Sequence, residues 1–349
     1  MTRRDSTCQT TAPRRVTMLA GLVALATVTM SAAAAAKDVR VSLPWVFQGP
    51  DSFMLVAADQ GYYAAAGINV SIDTGRGSVD AINRVASGAY EFGFADINNL
   101  IEFNATNPGA EVVAVMMVYD EAPFSLFTLE GSGIETPADL EGRTLGAPAF
   151  DASFKLFPAF ATATGIDFDT VATVNMDGSL RETMLINGDV DFISGHYHSS
   201  YLDLKTKGVD PADMVVMRYA DHGLDFYGNA VIVRRETIVA DPDLVRDFVA
   251  ATVRGVQDVV GDPTLGAKAA ASRDPLIEEA VELERLLLTL ETLIDTPFVR
   301  ANGVGTVDPE RLQRSIGQLA EAFAIETPPD AAAVFDARFL PPLEARLLP

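Results

Sequence analysis

The chain has 349 residues, 48% of them hydrophobic, and a formal net charge of −22 at pH 7. That length accommodates two domains of ordinary size, and the apolar content allows a full core. The acidity excludes a nucleic-acid partner, because phosphate binding needs clustered Lys and Arg.

The N-terminus reads as an export signal. Arg3, Arg4, Arg14 and Arg15 supply positive charge, residues 16–29 are apolar, and the alanines at 32–36 offer an A-x-A cleavage site. The apolar run is short and Ala-rich for a stable membrane span. Residues 1–36 are therefore expected to be a signal peptide cleaved near Ala36, by either the general or the twin-arginine route. Cleavage would leave a net charge of −25. The single cysteine, Cys8, lies in this segment, ahead of the apolar run, so it is no lipoprotein acceptor. The mature chain then has no disulfide, thiol nucleophile or thiolate metal ligand. An exported, soluble product is expected.

Residues 38–43 alternate as a first strand, ended by Pro44. The loop 45–51 follows, with the only tryptophan, Trp45, and Phe47. Large rings in a loop after a strand can stack on a flat or cationic ligand. A helix over 53–63 and a strand over 68–72 come next. Gly75-Arg76-Gly77-Ser78 then breaks the pattern before a helix with apolar Val79, Ile82, Val85 and Ala86. Residues 91–95 read as a buried strand ending at Asp96, and a helix begins at Asn98. A helix N-terminus presents free N–H groups, Gly77 permits close approach, Ser78 can cap or donate, and Arg76 adds a charge. Asp96 and Asn98 stand at the carboxyl end of the next strand, where open α/β sheets bind ligands. The same stretch is also compatible with an ordinary strand–helix–strand crossover.

Residues 112–118 read as a fully buried strand of the parallel kind, followed by Tyr119. Residues 124–129 are strand-like. After the turn-rich segment 131–143 a second series begins. It comprises a strand over 144–148, a small-residue loop containing Phe150, a helix opened by Ser153 over 154–164, a strand over 171–176, a helix over 180–187 and a strand over 190–193. His196, Tyr197 and His198 are placed in a loop at its carboxyl end. Strands over 215–219 and 230–233 follow, with Tyr227 between them. Amphipathic helices are expected over 244–260, 276–293 and 309–323, with a Pro- and Ala-rich tail from Pro328 wrapping the surface.

The order Leu43-Pro44-Trp45, Gly61-Tyr62-Tyr63, Gly67-Ile68-Asn69-Val70, Gly77-Ser78 and Gly93-Phe94-Ala95-Asp96 resembles periplasmic solute-binding proteins for nitrate, sulfonates, taurine and the thiamine pyrimidine precursor. Residues 137–146 and 185–191 fit the same pattern, so the resemblance covers about residues 38–325. It implies an α/β, two-lobe periplasmic-binding-protein fold hinged by two crossing strands, placed near 124–129 and 228–233. Lobe one would be residues 37–126 plus 230–349, and lobe two 127–229. The resemblance also implies a monomeric periplasmic carrier that hands a small molecule to an ABC permease with its ATPase, without cofactor or catalysis. In that family Trp45 falls where precursor binders stack a ring on the pyrimidine. Ser78 suits either ligand class, Arg76 an anion, and Asp96 an amino group.

The expected site is thus Trp45, Phe47, Arg76, Ser78, Asp96, Asn98, Tyr119, Phe150, Ser153, His196, Tyr197 and Tyr227. Its aromatic supply favours a planar heterocycle; taurine, an alkanesulfonate or another small anion is the alternative. His196 and His198, with His222 and Asp221, invite a metal reading, but no third ligand stands at useful spacing and no metal is expected. A histidine in the cleft would make binding pH-dependent near 6.5. An exported hydrolase lacks a G-x-S-x-G elbow here, and the thiamine-pyrimidine-forming enzymes of the same family use a cysteine-rich motif that this chain lacks. A sensor lobe coupled to a membrane kinase would share the fold.

Overall fold

The apolar alternation of the sequence becomes ten strands in two sheets. The computed structural model describes residues 7, 9–12 and 36–349. The expected signal peptide, residues 1–36, lies outside the described residues apart from those few positions. The strands are β1 (Lys37–Ser42), β2 (Ile68–Asp73), β3 (Phe92–Asp96), β4 (Val112–Met117), β5 (Phe124–Leu129), β6 (Thr144–Ala147), β7 (Ala172–Asn175), β8 (Phe192–His196), β9 (Met214–Arg218) and β10 (Asn229–Arg234). The first sheet runs β2-β1-β3-β10-β4 and the second β7-β6-β8-β5-β9. Both follow one plan, with parallel pairs on one side and a single antiparallel strand next to the edge strand, β10 in one and β5 in the other. This is the two-lobe α/β fold that the resemblance implies. β4 is a correction: it is fully buried as expected, yet its sheet neighbour β10 runs antiparallel to it. Isolated bridges from Ala114 to Phe335 and from Met117 to Gly305 cover its far side.

The strands expected to cross, 124–129 and 228–233, correspond to β5 and β10, each seated within a sheet. Residues 118–123 and 219–228 carry the chain between the sheets. Arg311 ties these two passages together. It donates to Asp120 Oδ1 at 3.1 Å and to the Phe226 carbonyl at 3.2 Å. Its guanidinium also lies 4.0 Å from the Tyr227 ring centroid.

The helices are α1 (Ser52–Asp59), α2 (Tyr62–Ala65), α3 (Ser78–Ala86), α4 (Ile97–Thr106), α5 (Ala152–Lys155), α6 (Phe157–Thr164), α7 (Arg181–Asn187), α8 (Tyr197–Thr206), α9 (Arg235–Ala240), α10 (Pro242–Gly261), α11 (Pro263–Ala271), α12 (Glu279–Thr289), α13 (Pro297–Asn302), α14 (Pro309–Ala322) and α15 (Ala331–Val334). The helix expected over 53–63 is broken by Gly61, which takes a left-handed φ of 73°. The helix expected from Ser153 is two helices. Its N-cap is Asp151, whose carboxylate accepts from the Phe154 N–H, because a carboxylate at the cap meets the orphan amides better than a hydroxyl two residues later. His196 ends β8 and His198 lies in α8, so neither is in a loop.

Period-two patterning aims Phe92 and Phe94 of β3 at one face of the first sheet. There Phe92 lies flat on Phe248 of α10, centroids 4.0 Å apart, and Phe94 meets Phe53 of α1 edge-on at 5.2 Å. Gly93 faces the other way, where a Cβ would come within 2.9 Å of Val85, so α3 packs directly on the strand. These contacts fix the carboxyl ends of β1 and β3 and the start of α3, the elements that build the cleft. Among the described residues, no helix is long and apolar enough to cross a membrane.

Candidate functional site: a cleft between the lobes

The loop after β1 and the turn before α3 are stitched together. Gly77 N–H donates to the Pro44 carbonyl at 2.6 Å, and Gly75 N–H to the Trp45 carbonyl at 3.1 Å. The stitching sets Trp45 beside the N-terminus of α3 at the floor of the first lobe. From the second lobe, Gly178 receives the Trp45 ring edge so closely that a Cβ there would sit 2.3 Å from it. The Arg181 guanidinium lies 5.6 Å from the Trp45 ring centroid.

The cleft has two parts. An inner chamber, with about 30 Å³ that water can reach, is walled by Trp45, Gln48, Asp51 and Ser78 from the first lobe, Asp151, Arg181, His196 and His198 from the second, and Asn229 from the start of β10. An outer cleft of about 750 Å³ shares Trp45 and Gln48 with it and adds Phe47, Arg76 and Phe150. The lobes are held together across it. Gln48 Oε1 accepts from Ser199 Oγ at 2.8 Å. Arg285 of α12 donates to the carbonyls of His198 and Ser199 at 3.1 and 2.9 Å and to Asp203 at 2.8 Å.

Five of the expected residues face the cleft with side chains in reach of a ligand: Trp45 and His196 at the chamber, Phe47, Arg76 and Phe150 outside it. Ser78 also lines the chamber, with its Oγ accepting from the Asp96 N–H at 3.1 Å. Arg76 differs from expectation in charge balance. Its guanidinium is paired with Asp80 at 3.1 Å and rests 5.2 Å from the Phe150 ring centroid, at the exposed mouth. The i,i+4 spacing on α3 brings that carboxylate to it.

The other six stand behind the walls, and all but the Ser153 side chain, whose Oγ has no partner, are held by structural contacts. Asp96 caps α4, accepting from Asn99 N–H at 2.8 Å and Asn98 Nδ2 at 3.1 Å. Asn98 also donates to the Tyr227 carbonyl at 2.6 Å. Tyr119 donates its hydroxyl to Asp51 at 3.0 Å. Ser153 is fully buried, and its carbonyl accepts from the Tyr219 hydroxyl at 2.8 Å. Tyr197 stacks on Phe127 in the second-lobe core. Tyr227 is buried under Arg311, its hydroxyl accepting from the Asp308 N–H at 2.7 Å. His222 stands apart from the chamber, against Phe160. Among the described residues, no three His, Cys, Asp or Glu side chains are grouped to hold a metal.

Residues 51–265 match the family described as NMT1/THI5 like. The chain belongs to that family. It is 26% identical over 266 residues to the formylaminopyrimidine-binding protein of Halalkalibacterium halodurans, covering 74% of this chain and 78% of that one. It is 27% identical over 294 residues to the riboflavin-binding protein RibY of Chloroflexus aurantiacus, covering 82% and 81%. The fold superposes on the alkanesulfonate-binding protein SsuA from Xanthomonas axonopodis pv. citri with a TM-score of 0.67 at 15% identity, over 87% of this chain and 100% of that one.

In this NMT1/THI5-like chain, sequence reasoning missed Gln48, Asp51, Asp151, Arg181 and Asn229. Asp151 carried a signal, as an Asp three residues ahead of Phe154 where the helix begins. Arg181 shares a helix face with apolar Leu185, which marks a buried cation. It is 2% exposed and pairs with Glu182 at 2.8 Å and Asp151 at 3.6 Å.

Electrostatics correct the expected histidine switch. Burial pushes His196 down to about 4, against the pull of Asp151, and holds His198 well below the ordinary histidine value. Both are neutral at pH 6.5. The groups that titrate near neutrality are carboxyls: burial raises Asp51 to about 7, with Tyr119 pulling down, and raises Asp96 to about 8. Each binds its proton more tightly in the folded chain than in the unfolded one. Their contribution to stability is therefore complete below about pH 4 and is lost as pH rises towards 7 and 8. Asp51→Asn should raise the unliganded melting midpoint at pH 8 by a few degrees and leave it nearly unchanged at pH 4; equal shifts at both would contradict the assignment.

Proposed function

We propose that the protein is the exported substrate-binding component of an ABC importer, closing its lobes (residues 37–117 plus 229–349, and 124–218, joined by the two passages between the sheets) on a small planar nitrogen heterocycle. A periplasmic carrier of this kind passes its cargo, chemically unchanged, to a permease driven by an ATPase.

The observation that carries the reading is the chemistry of the inner chamber. It joins one indole plate, Trp45, to the carboxyl groups of Asp51 and Asp151 and to buried polar atoms without partners, among them His198 Nδ1 and both amide atoms of Asn229. Such a wall wants a flat ligand carrying N–H donors as well as acceptors. An anion is poorly served there. The cation of the chamber, Arg181, is already matched by Asp151 and Glu182, and Arg76 by Asp80. The pyrimidine and flavin relatives support the same class of ligand. Hydrolysis is not supported, since the chamber serines are engaged elsewhere, Ser78 with the Asp96 N–H and Ser199 with Gln48.

The test is a thermal-shift panel of aminopyrimidines, flavins, taurine, alkanesulfonates and nitrate, followed by calorimetry. A ligand at one hundred times its dissociation constant adds about 2.7 kcal/mol of stability. The expected result is a shift with heterocycles alone, and a loss of about tenfold or more in affinity in Trp45→Ala. A shift confined to sulfonates would replace this reading with the anion one.

A further inference from the structure

Asn229 opens β10, where that strand enters the first sheet from the second lobe. Its backbone carbonyl is engaged, accepting from Val118 N–H at 3.0 Å and Tyr119 N–H at 3.1 Å. Its side chain is fully buried, lines the inner chamber, and has no hydrogen-bond partner at either Nδ2 or Oδ1. Asn98 and Asn99 on α4 also hold unpartnered amide atoms, but neither lines the chamber. Leaving a buried amide unmet on both atoms destabilises the unliganded protein, whereas an apolar side chain of similar size would not.

A primary amide presents one donor and one acceptor side by side in a plane. The partner that satisfies both at once has an acceptor next to a donor: the N=C–NH₂ edge of an aminated ring, or the HN–C=O edge of a ring lactam. A carboxylate, sulfonate or phosphate offers acceptors only and would set its charge against Oδ1. A ring bearing only acceptor nitrogens would likewise leave Oδ1 unmet. We infer that Asn229 is the specificity-determining residue of the chamber, reading an amidine-like or lactam edge on the ring that Trp45 stacks. This inference rests on the heterocycle reading above and narrows it to aminated or oxo-substituted rings.

Calorimetry with the purified protein tests it against three probes of nearly equal size: 4-aminopyrimidine, 4-pyrimidinone and unsubstituted pyrimidine. The wild-type protein should bind the first two about 10- to 100-fold more tightly than the third. Asn229→Leu should erase that preference while its unliganded melting midpoint holds or rises, a combination that a folding defect cannot produce. Equal binding of all three probes by the wild type, or an undiminished preference in Asn229→Leu, would overturn the role of Asn229 and leave the heterocycle reading in place. Binding of alkanesulfonates with no response to any ring would overturn both.

Discussion

Gly77→Ala should lower ligand affinity about 100-fold or more, equivalent to about 2.7 kcal/mol, while both lobes stay folded. Gly77 has a φ of 140°, and a Cβ there would lie 1.9 Å from the Phe150 carbonyl oxygen and 3.0 Å from the Asp151 nitrogen. Both obstructing atoms are backbone of the opposite lobe, so no rotamer change relieves the clash. The lobes can avoid it only by staying apart, which removes Asp151 and Arg181 from the chamber. Gly61→Ala is the control, because Gly61 also has a positive φ, 73°, but nothing within 4 Å of its would-be Cβ. That variant places a Cβ on a positive-φ backbone without the inter-lobe clash and should keep the affinity, although its left-handed conformation at ψ 20° tolerates a side chain better than Gly77 at ψ 163°. Small-angle scattering gives a second readout: saturating ligand should contract the wild type and Gly61→Ala but leave Gly77→Ala at its unliganded dimensions. Normal affinity in Gly77→Ala would show that the contact with Phe150 plays no part in closure.

The second large effect concerns stability. Arg181→Ala should destabilise the unliganded protein by about 3–5 kcal/mol, lowering its melting midpoint by roughly 10 °C. The guanidinium is enclosed with Glu182, also 2% exposed, and with Asp151 at 7%, so its removal strands two carboxyl groups away from water. Gly195 makes room for it, since a Cβ there would lie 3.1 Å from the guanidinium carbon. Arg181→Lys should recover only part of the loss, because a point charge cannot serve both carboxylates as the planar fork does. Adding Asp151→Asn and Glu182→Gln to Arg181→Ala should restore much of the stability by neutralising what was stranded. Chemical denaturation of the four proteins decides the matter, and a cost below about 1 kcal/mol for Arg181→Ala would mean the carboxyls find water or protons instead.

What was legible in the sequence is local. The Gly-rich turn before α3 announces itself by its glycines, and Trp45 by lying just past a strand. The strand–loop–helix order of each half follows from periodicity alone. What was not legible depends on partners far along the chain. Tyr119 and Tyr227 look like ligand plates at strand ends, but their hydroxyls meet Asp51 and the Asp308 amide, 68 and 81 residues away. Asp51 is only the last residue of the loop 45–51 in the sequence, yet Tyr119, 68 residues on, fixes it as a chamber wall. Asn229 is an unremarked polar residue before an apolar strand until the return of β10 to the first sheet carries it to the cleft. The histidine switch failed for a related reason: sequence reveals that a histidine is present, whereas its protonation depends on how deeply the second lobe encloses it.

The late return of β10 to the first sheet also bears on how the chain acquires its shape during synthesis. In the first sheet β4 pairs with β10 and does not touch β3, so residues 37–117 can assemble β2-β1-β3 but leave β4 without its neighbour. The gap closes only when residue 234 has left the ribosome. The second sheet, by contrast, is drawn entirely from residues 124–218 and is complete earlier. The later-encoded lobe is therefore the first that can consolidate, and the earlier-encoded one waits for it, which keeps the leading part of the chain loose for most of its elongation.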